Sequence, residues 1–160
     1  MASANSFPFR IENTRPEVFR MTVFFEHLHT VLPEEIDPQG HVNNVAYVAW
    51  MQAAAVAHSR LQGWPNSRYR ERGWAWVARS HFIEYRRPAF LGDEIVIRTW
   101  VADMQKYTSR RKYEMFRENQ LLARAETNWA FVAFETQKLL AVPEEVARAF
   151  EIGTSPTGRR

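Results

Sequence analysis

The chain is 160 residues long, 46% hydrophobic and 14% aromatic, with a formal net charge of +3, which suits one domain with a substantial core. It has no cysteine, which excludes disulfides, a thiolate nucleophile and any cysteine-ligated metal. The positive charge is almost all arginine, with lysine only at Lys106, Lys112 and Lys138; acids are interspersed throughout, so the balance does not indicate a nucleic-acid partner.

Residues 1–19 mix Pro8, Pro16, Asn5 and Asn13 with charges and show no period. They read as an N-terminal arm without an apolar leader, and a cytoplasmic setting is expected. One domain is expected over residues 20–152. Met21 to Leu32 alternates as a strand, with Val23, Phe25, His27, His29 and Val31 on one face, and Pro33 ends it. Asp37, Pro38, Gln39 and Gly40 form a turn, and Asn43 or Asn44 can cap a helix. That helix runs on through an almost unbroken apolar stretch to Ala57 and stops at Gly63, Trp64 and Pro65. Alanines at 46, 49, 53, 54, 55 and 57 favour the helix and keep it thin enough for a sheet to approach closely. A helix apolar nearly all round is expected to be buried, and its flanks are too polar for a membrane span.

Asn66 to Arg72 is polar and reads as a loop. Trp74 to Arg87 is a strand whose strict alternation puts Trp74, Trp76, Ala78, Ser80, Phe82 and Glu84 on one face. Pro88 to Asp93 turns the chain. Three more strands follow, Glu94 to Ala102, Thr108 to Arg117 and Gln120 to Phe134, joined by a polar turn containing Lys106 and a tight turn at Glu118 and Asn119. Pro143 to Phe150 is a short closing helix with Pro at its first position and acids beside it. Residues 153–160 are expected to fray. The short connections imply antiparallel pairing, and one long helix against one sheet is an α+β layer. Such a sheet covers only part of the helix, so a second subunit is expected.

The start of the long helix is where chemistry is expected. Its first amides lack intrahelical partners and carry partial positive charge. Asp37 and His41 lie within a few residues of them, and a carboxylate, an imidazole and free donors at one spot suit acyl transfer. Each residue also has an ordinary structural use: Asp-Pro starts turns, Asn caps helices, and a histidine can simply be hydrogen-bonded. Other chemistries leave no trace. The six glycines form neither a dinucleotide-binding fingerprint nor a P-loop, Gly-x-Ser-x-Gly is missing, and no His-Glu-x-x-His occurs. His27 and His29 share a strand face, which is more often an ordinary strand feature than a metal site.

The segment Asp37-Pro38-Gln39-Gly40-His41-Val42-Asn43-Asn44, with Tyr47 and Trp50 beyond it, resembles the active-site segment of hotdog-fold thioesterases. It is close to the 4-hydroxybenzoyl-CoA thioesterase group and its bacterial acyl-CoA relatives, and similar to acyl-carrier-protein thioesterases of plants and bacteria. Ile83 to Glu94 resembles that family's second strand and following turn, and the likeness spans about residues 20–136. The resemblance implies a curved, antiparallel five-stranded sheet wrapped around one long central helix. It implies hydrolysis of acyl-CoA or acyl-carrier-protein thioesters without metal or redox cofactor, by a homodimer or homotetramer. Asp37 falls on the family's acid, a nucleophile or a general base acting through water. His41 falls on the histidine of the carrier-protein branch, Gln39 stands where that branch usually has Asn, and Glu84 matches an acid held catalytic there. Val42, Asn43, Asn44 and Tyr47 are implied to contact substrate, and Lys106, Arg110 and Arg111 to lie near coenzyme A phosphates. The rival readings are a hotdog dehydratase or hydratase, and a non-catalytic binder of acyl thioesters.

Overall fold

The computed structural model describes residues 23–155; the expected arm 1–19, the next three residues and positions 156–160 of the expected tail lie outside the described residues. The elements are β1 (Phe25–Thr30), a 3-10 turn (Pro33–Glu35), α1 (Asn44–Leu61), α2 (Asn66–Glu71), β2 (Trp74–Tyr85), β3 (Glu94–Met104), β4 (Thr108–Arg117), β5 (Gln120–Ala133) and α3 (Glu144–Ala147). The strands form one sheet in the order β1-β3-β4-β5-β2, antiparallel at every pairing. Among the described residues no helix is long and apolar enough to cross a membrane.

The long helix begins and ends for local reasons. Asn43 is its N-cap, its Oδ1 accepting the Ala46 amide at 2.9 Å. Gly63 closes it with a φ of +86°, a conformation glycine takes without the Cβ penalty. Ala46, Ala54 and Ala55 face the sheet, where Tyr47, Trp50 and Met51 complete the packing with Ile95, Ile97, Tyr113 and Met115. The opposite face is uncovered: Val45 is 76% exposed, and Ala49 and Ala53 are exposed as well. The expectation of a wholly buried helix therefore holds for one face of the single chain. Because Ala54 has 0% exposure, Ala54→Leu is expected to overpack the contact with the sheet and cost roughly 1–3 kcal/mol. Denaturant unfolding measures this, and an unchanged midpoint would show that the helix–sheet contact has room to spare.

Two expectations need correction. Residues 66–71 form a helix, not a loop. Its 6 residues make fewer than two turns, too few to show a period, and its anchor is the single buried Tyr69. That ring lies 5.1 Å from the Trp64 ring, which also meets the Trp74 ring at 6.0 Å and the Arg68 guanidinium 4.0 Å from its centre. The second correction is the face of β2. Ala78 pairs with Trp129 but Ser80 pairs with Asn128, so Arg79 is an extra residue on the β2 side, a bulge. It reverses the alternation. Trp74 and Trp76 point inward before it, Ile83 points inward after it, and Phe82 is 67% exposed. Past α3 the chain stays attached to the sheet: Ile152 bridges to Val101 in parallel, and the Gly153 amide donates to the Val101 carbonyl at 2.9 Å.

Candidate active site

The segment before α1 is a small closed loop. Ile36 and Val42 form an antiparallel bridge at its base, and the Asp37 amide donates to the His41 carbonyl at 2.9 Å. The Gly40 amide returns to the Asp37 carbonyl at 3.0 Å, with Gly40 at a φ of +88°. The Gln39 amide donates to Asp37 Oδ1 at 2.8 Å, which fixes the carboxylate and leaves Oδ2 towards His41. His41 Nδ1 stands 3.7 Å from Asp37 Oδ2, an ion-pair distance longer than a hydrogen bond, and both side chains are partly open to solvent. Gln39 thus acts on Asp37 here through its backbone, and its side chain is exposed.

Asn43 is fully occupied by the scaffold. Its Nδ2 donates to the Glu35 carbonyl at 2.9 Å, its own amide to the same oxygen at 2.8 Å, and its Oδ1 caps Ala46. Capping leaves the amides of Asn44 and Val45, at the exposed tip of the helix, without a protein acceptor among the described residues. Val42 is buried and hangs the loop on the Ala89 carbonyl through its amide at 2.9 Å. Tyr47 is buried against Trp50 and edge-on to Tyr85, and burial raises its pKa.

The remaining expected residues lie elsewhere in the chain. Glu84 is on the face of β2 turned away from α1, opposite Arg124, in an exposed ion pair of 2.7 Å with Arg86. Lys106 sits in the exposed turn between β3 and β4. Arg110 points outward and is held by Asp103 at 2.9 Å. Arg111, one residue on, points inward: its Nη1 donates to His58 Nδ1 at 2.9 Å and to Thr99 Oγ1 at 3.2 Å. The three cations therefore do not converge on one patch.

Glu35 organises the site without having been legible as a site residue. Its Oε2 accepts from His29 Nε2 at 2.8 Å and from the Leu32 amide at 2.9 Å; its Oε1 accepts from Trp50 Nε1 at 2.8 Å. With its carbonyl on Asn43, it ties β1, the Asp37 loop and α1 together. Burial alone would raise its pKa, but the bonds from His29, Leu32 and Trp50 outweigh burial and lower it. Glu35→Gln is expected to cost about 1.5–3 kcal/mol near neutral pH, the range for hydrogen bonds to a charged group. A depressed carboxylate contributes stability above its ordinary value of 4.5 and loses it as pH falls through the lower folded value. The gap between parent and variant in urea unfolding should therefore close on acidification; a gap independent of pH would contradict this role for the charge.

The chain belongs to the thioesterase-like superfamily, whose family model matches residues 31–150. It is 28% identical over 112 residues to a protein of Aquifex aeolicus described as "Putative esterase", covering 70% of this chain and 86% of that one. It is 28% identical over 109 residues to an acyl-[acyl-carrier-protein] hydrolase of Cuphea viscosissima, covering 63% of this chain but only 26% of the hydrolase. The solved structure of a hypothetical protein from Aquifex aeolicus superposes with a TM-score of 0.76 at 26% identity, over 79% of this chain and 99% of that one. The architecture is the hotdog fold, as the sequence resemblance implied.

Proposed function

We propose that this protein hydrolyses acyl thioesters of coenzyme A or acyl carrier protein to free acid and thiol. The observation that supports this most is the Asp37 carboxylate, pinned by the Gln39 amide a few residues before a helix whose Asn44 and Val45 amides have no acceptor among the described residues. A thioester carbonyl placed on the Asn44 and Val45 amides is polarised, and the charge that develops on its oxygen is stabilised there. Asp37 Oδ2 then attacks the carbonyl carbon, expelling the thiolate and leaving an anhydride that water cleaves. Alternatively, it takes a proton from a water that attacks directly. His41, across from Oδ2, orients the carboxylate or the water and supplies a proton to the departing sulfur. Val42, Asn43 and Tyr47 support this site from behind, and Glu84, Lys106, Arg110 and Arg111 serve substrate binding or catalysis only if substrate or a second subunit spans the distance.

The working unit in this reading is a homodimer or homotetramer. The uncovered face of α1 carries Val45, Ala49 and Ala53, and β2 is an edge strand with Phe82 exposed, so a second copy has apolar surface and strand edge to cover. A dimeric or larger mass in sedimentation at micromolar concentration is expected; a monomer with full activity would refute it. The function itself is tested by free-thiol release across a panel of acyl-CoA and acyl-carrier-protein substrates. Thiol and free acid in equal amounts support hydrolysis. An enoyl product identifies a dehydratase or hydratase, and saturable binding without turnover identifies a binder.

A further inference from the structure

A second site lies at the other end of α1. A cavity of about 260 Å³ opens between the Gln52–Ser59 half of that helix, α2, the start of β2 and the far ends of β3 and β4. At 1.5 Å per residue, this half of the helix is roughly 12–22 Å along the axis from Asn44. Six aromatic side chains wall the cavity: Tyr69, Trp74, Trp76, Trp129, Phe134 and Phe150. Arg111 forms part of its lining and is only 6% exposed; Arg70 lines it from exposed α2, and among the described residues no Asp or Glu borders it.

Arg111 is a buried cation without a carboxylate partner among the described residues. Its contacts are His58 Nδ1, Thr99 Oγ1 and the Phe150 ring at 5.9 Å, and its Nε and Nη2 have no acceptor among the described residues. A guanidinium keeps its proton at neutral pH. Buried charges are ordinarily paired, because leaving one unpaired costs several kcal/mol of lost hydration. His58 cannot supply the counter-charge, since a histidine is neutral or positive. An Nε/Nη2 edge without an acceptor among the described residues, on a side chain that lines an aromatic-walled cavity, matches the two oxygens of a carboxylate. The volume is just below the range of about 300–1,000 Å³ typical of drug-sized pockets, so the occupant is small.

We propose that this cavity binds a small organic carboxylate with an aromatic or aliphatic body, its carboxylate on the Nε/Nη2 edge of Arg111 and its body among the aromatic walls. The carboxylate can come from a free acid or from the distal end of an acyl group still joined to its thiol. The test is equilibrium binding of benzoate and hexanoate to the unmodified protein, read by calorimetry and by quenching of the wall tryptophans, against benzamide and hexanamide. The acids are expected to bind at least about tenfold more tightly than their amides, since only a carboxylate engages the buried charge. Arg111→Lys should weaken acid binding about tenfold or more by losing the bidentate edge, and Arg111→Gln should abolish the preference for acid over amide. Equal binding of acid and amide, or no binding of either acid at about 10 mM, overturns the proposal even if both variants fail to fold. A second arm compares hydrolysis of hexadecanedioyl-CoA with that of hexadecanoyl-CoA, whose chains are long enough to run from the Asn44 end of α1 to Arg111. A preference for the dioyl thioester that Arg111→Gln removes assigns the carboxylate to the substrate, whereas acid binding with no such preference assigns it to a free acid. Acid binding without hydrolysis of any thioester would refute the thioesterase reading and leave this one standing.

Discussion

Asp37→Asn is expected to lower kcat by about 10²–10⁴-fold, the usual range for loss of a positioned acid–base group, with KM nearly unchanged. Asparagine keeps the shape and an oxygen for the Gln39 amide, so the turn that carries it survives. What is lost is the negative charge that attacks or accepts a proton, an interaction realised in the transition state and not in the bound substrate. His41→Ala should have a milder effect, because the imidazole stands 3.7 Å from Asp37 Oδ2 and orients rather than initiates. Steady-state kinetics on the best substrate of the panel, with folding checked by circular dichroism, measures both. Near-parental turnover in Asp37→Asn together with a dead His41→Ala would reverse the roles and make His41 the base. Single turnover in ¹⁸O water tests the nucleophilic route: label in the Asp37 carboxylate requires an anhydride that water cleaves at the Asp37 carbon, which a general base never forms.

Acid should destabilise the fold through His58. This histidine is buried between Phe25 and Phe150, and burial, then the charge of Arg111, lowers its pKa from 6.5 to about 3. In the unfolded chain it takes up a proton as pH drops below 6.5; in the folded protein it stays neutral until about 3. Its contribution is therefore complete above pH 6.5 and is lost progressively down to about pH 3, with a slope of about 1.4 kcal/mol per pH unit and a total on the order of 4–5 kcal/mol. His58→Gln keeps an acceptor for Arg111 but removes the titration. Urea unfolding from pH 7 to pH 4 should show the parent losing stability relative to this variant. Parallel curves would mean that His58 takes its proton inside the fold.

The sites differ in how far they could be read along the chain. The Asp37 loop was legible because its geometry is made by neighbours: an Asp-Pro turn, a glycine at positive φ and an Asn cap all act within a few residues. Asn43 was legible as a cap and as a motif position, and the structure spends its whole side chain on the scaffold. Glu35 was not legible, because its carboxylate reaches His29 on β1 and Trp50 on α1, and no local pattern marks an acid that joins two distant elements. Arg111 sat among Lys106 and Arg110 as one of three cations near a turn. Strand alternation turns Arg110 to Asp103 at the surface and Arg111 to the interior, and which side is interior depends on where α1 and α2 pack.

The sequence by itself determined the long helix with its cap and stop, the order of five strands, their hairpin turns and the acid–imidazole segment. Each of these rests on capping, turn chemistry or a repeat of apolar positions, and those forces act between residues close in the chain. Only the tertiary structure decided that residues 66–71 are helical, that a bulge at Arg79 reverses the second half of β2, that Glu35 clamps the loop, and that the buried Arg111 guanidinium lines an aromatic-walled cavity. Those outcomes depend on pairing register and on burial against elements 15 to 53 positions away in sequence, as for Glu35 with Trp50 and Arg111 with His58, contacts whose energy exists only once the sheet has closed on the helix.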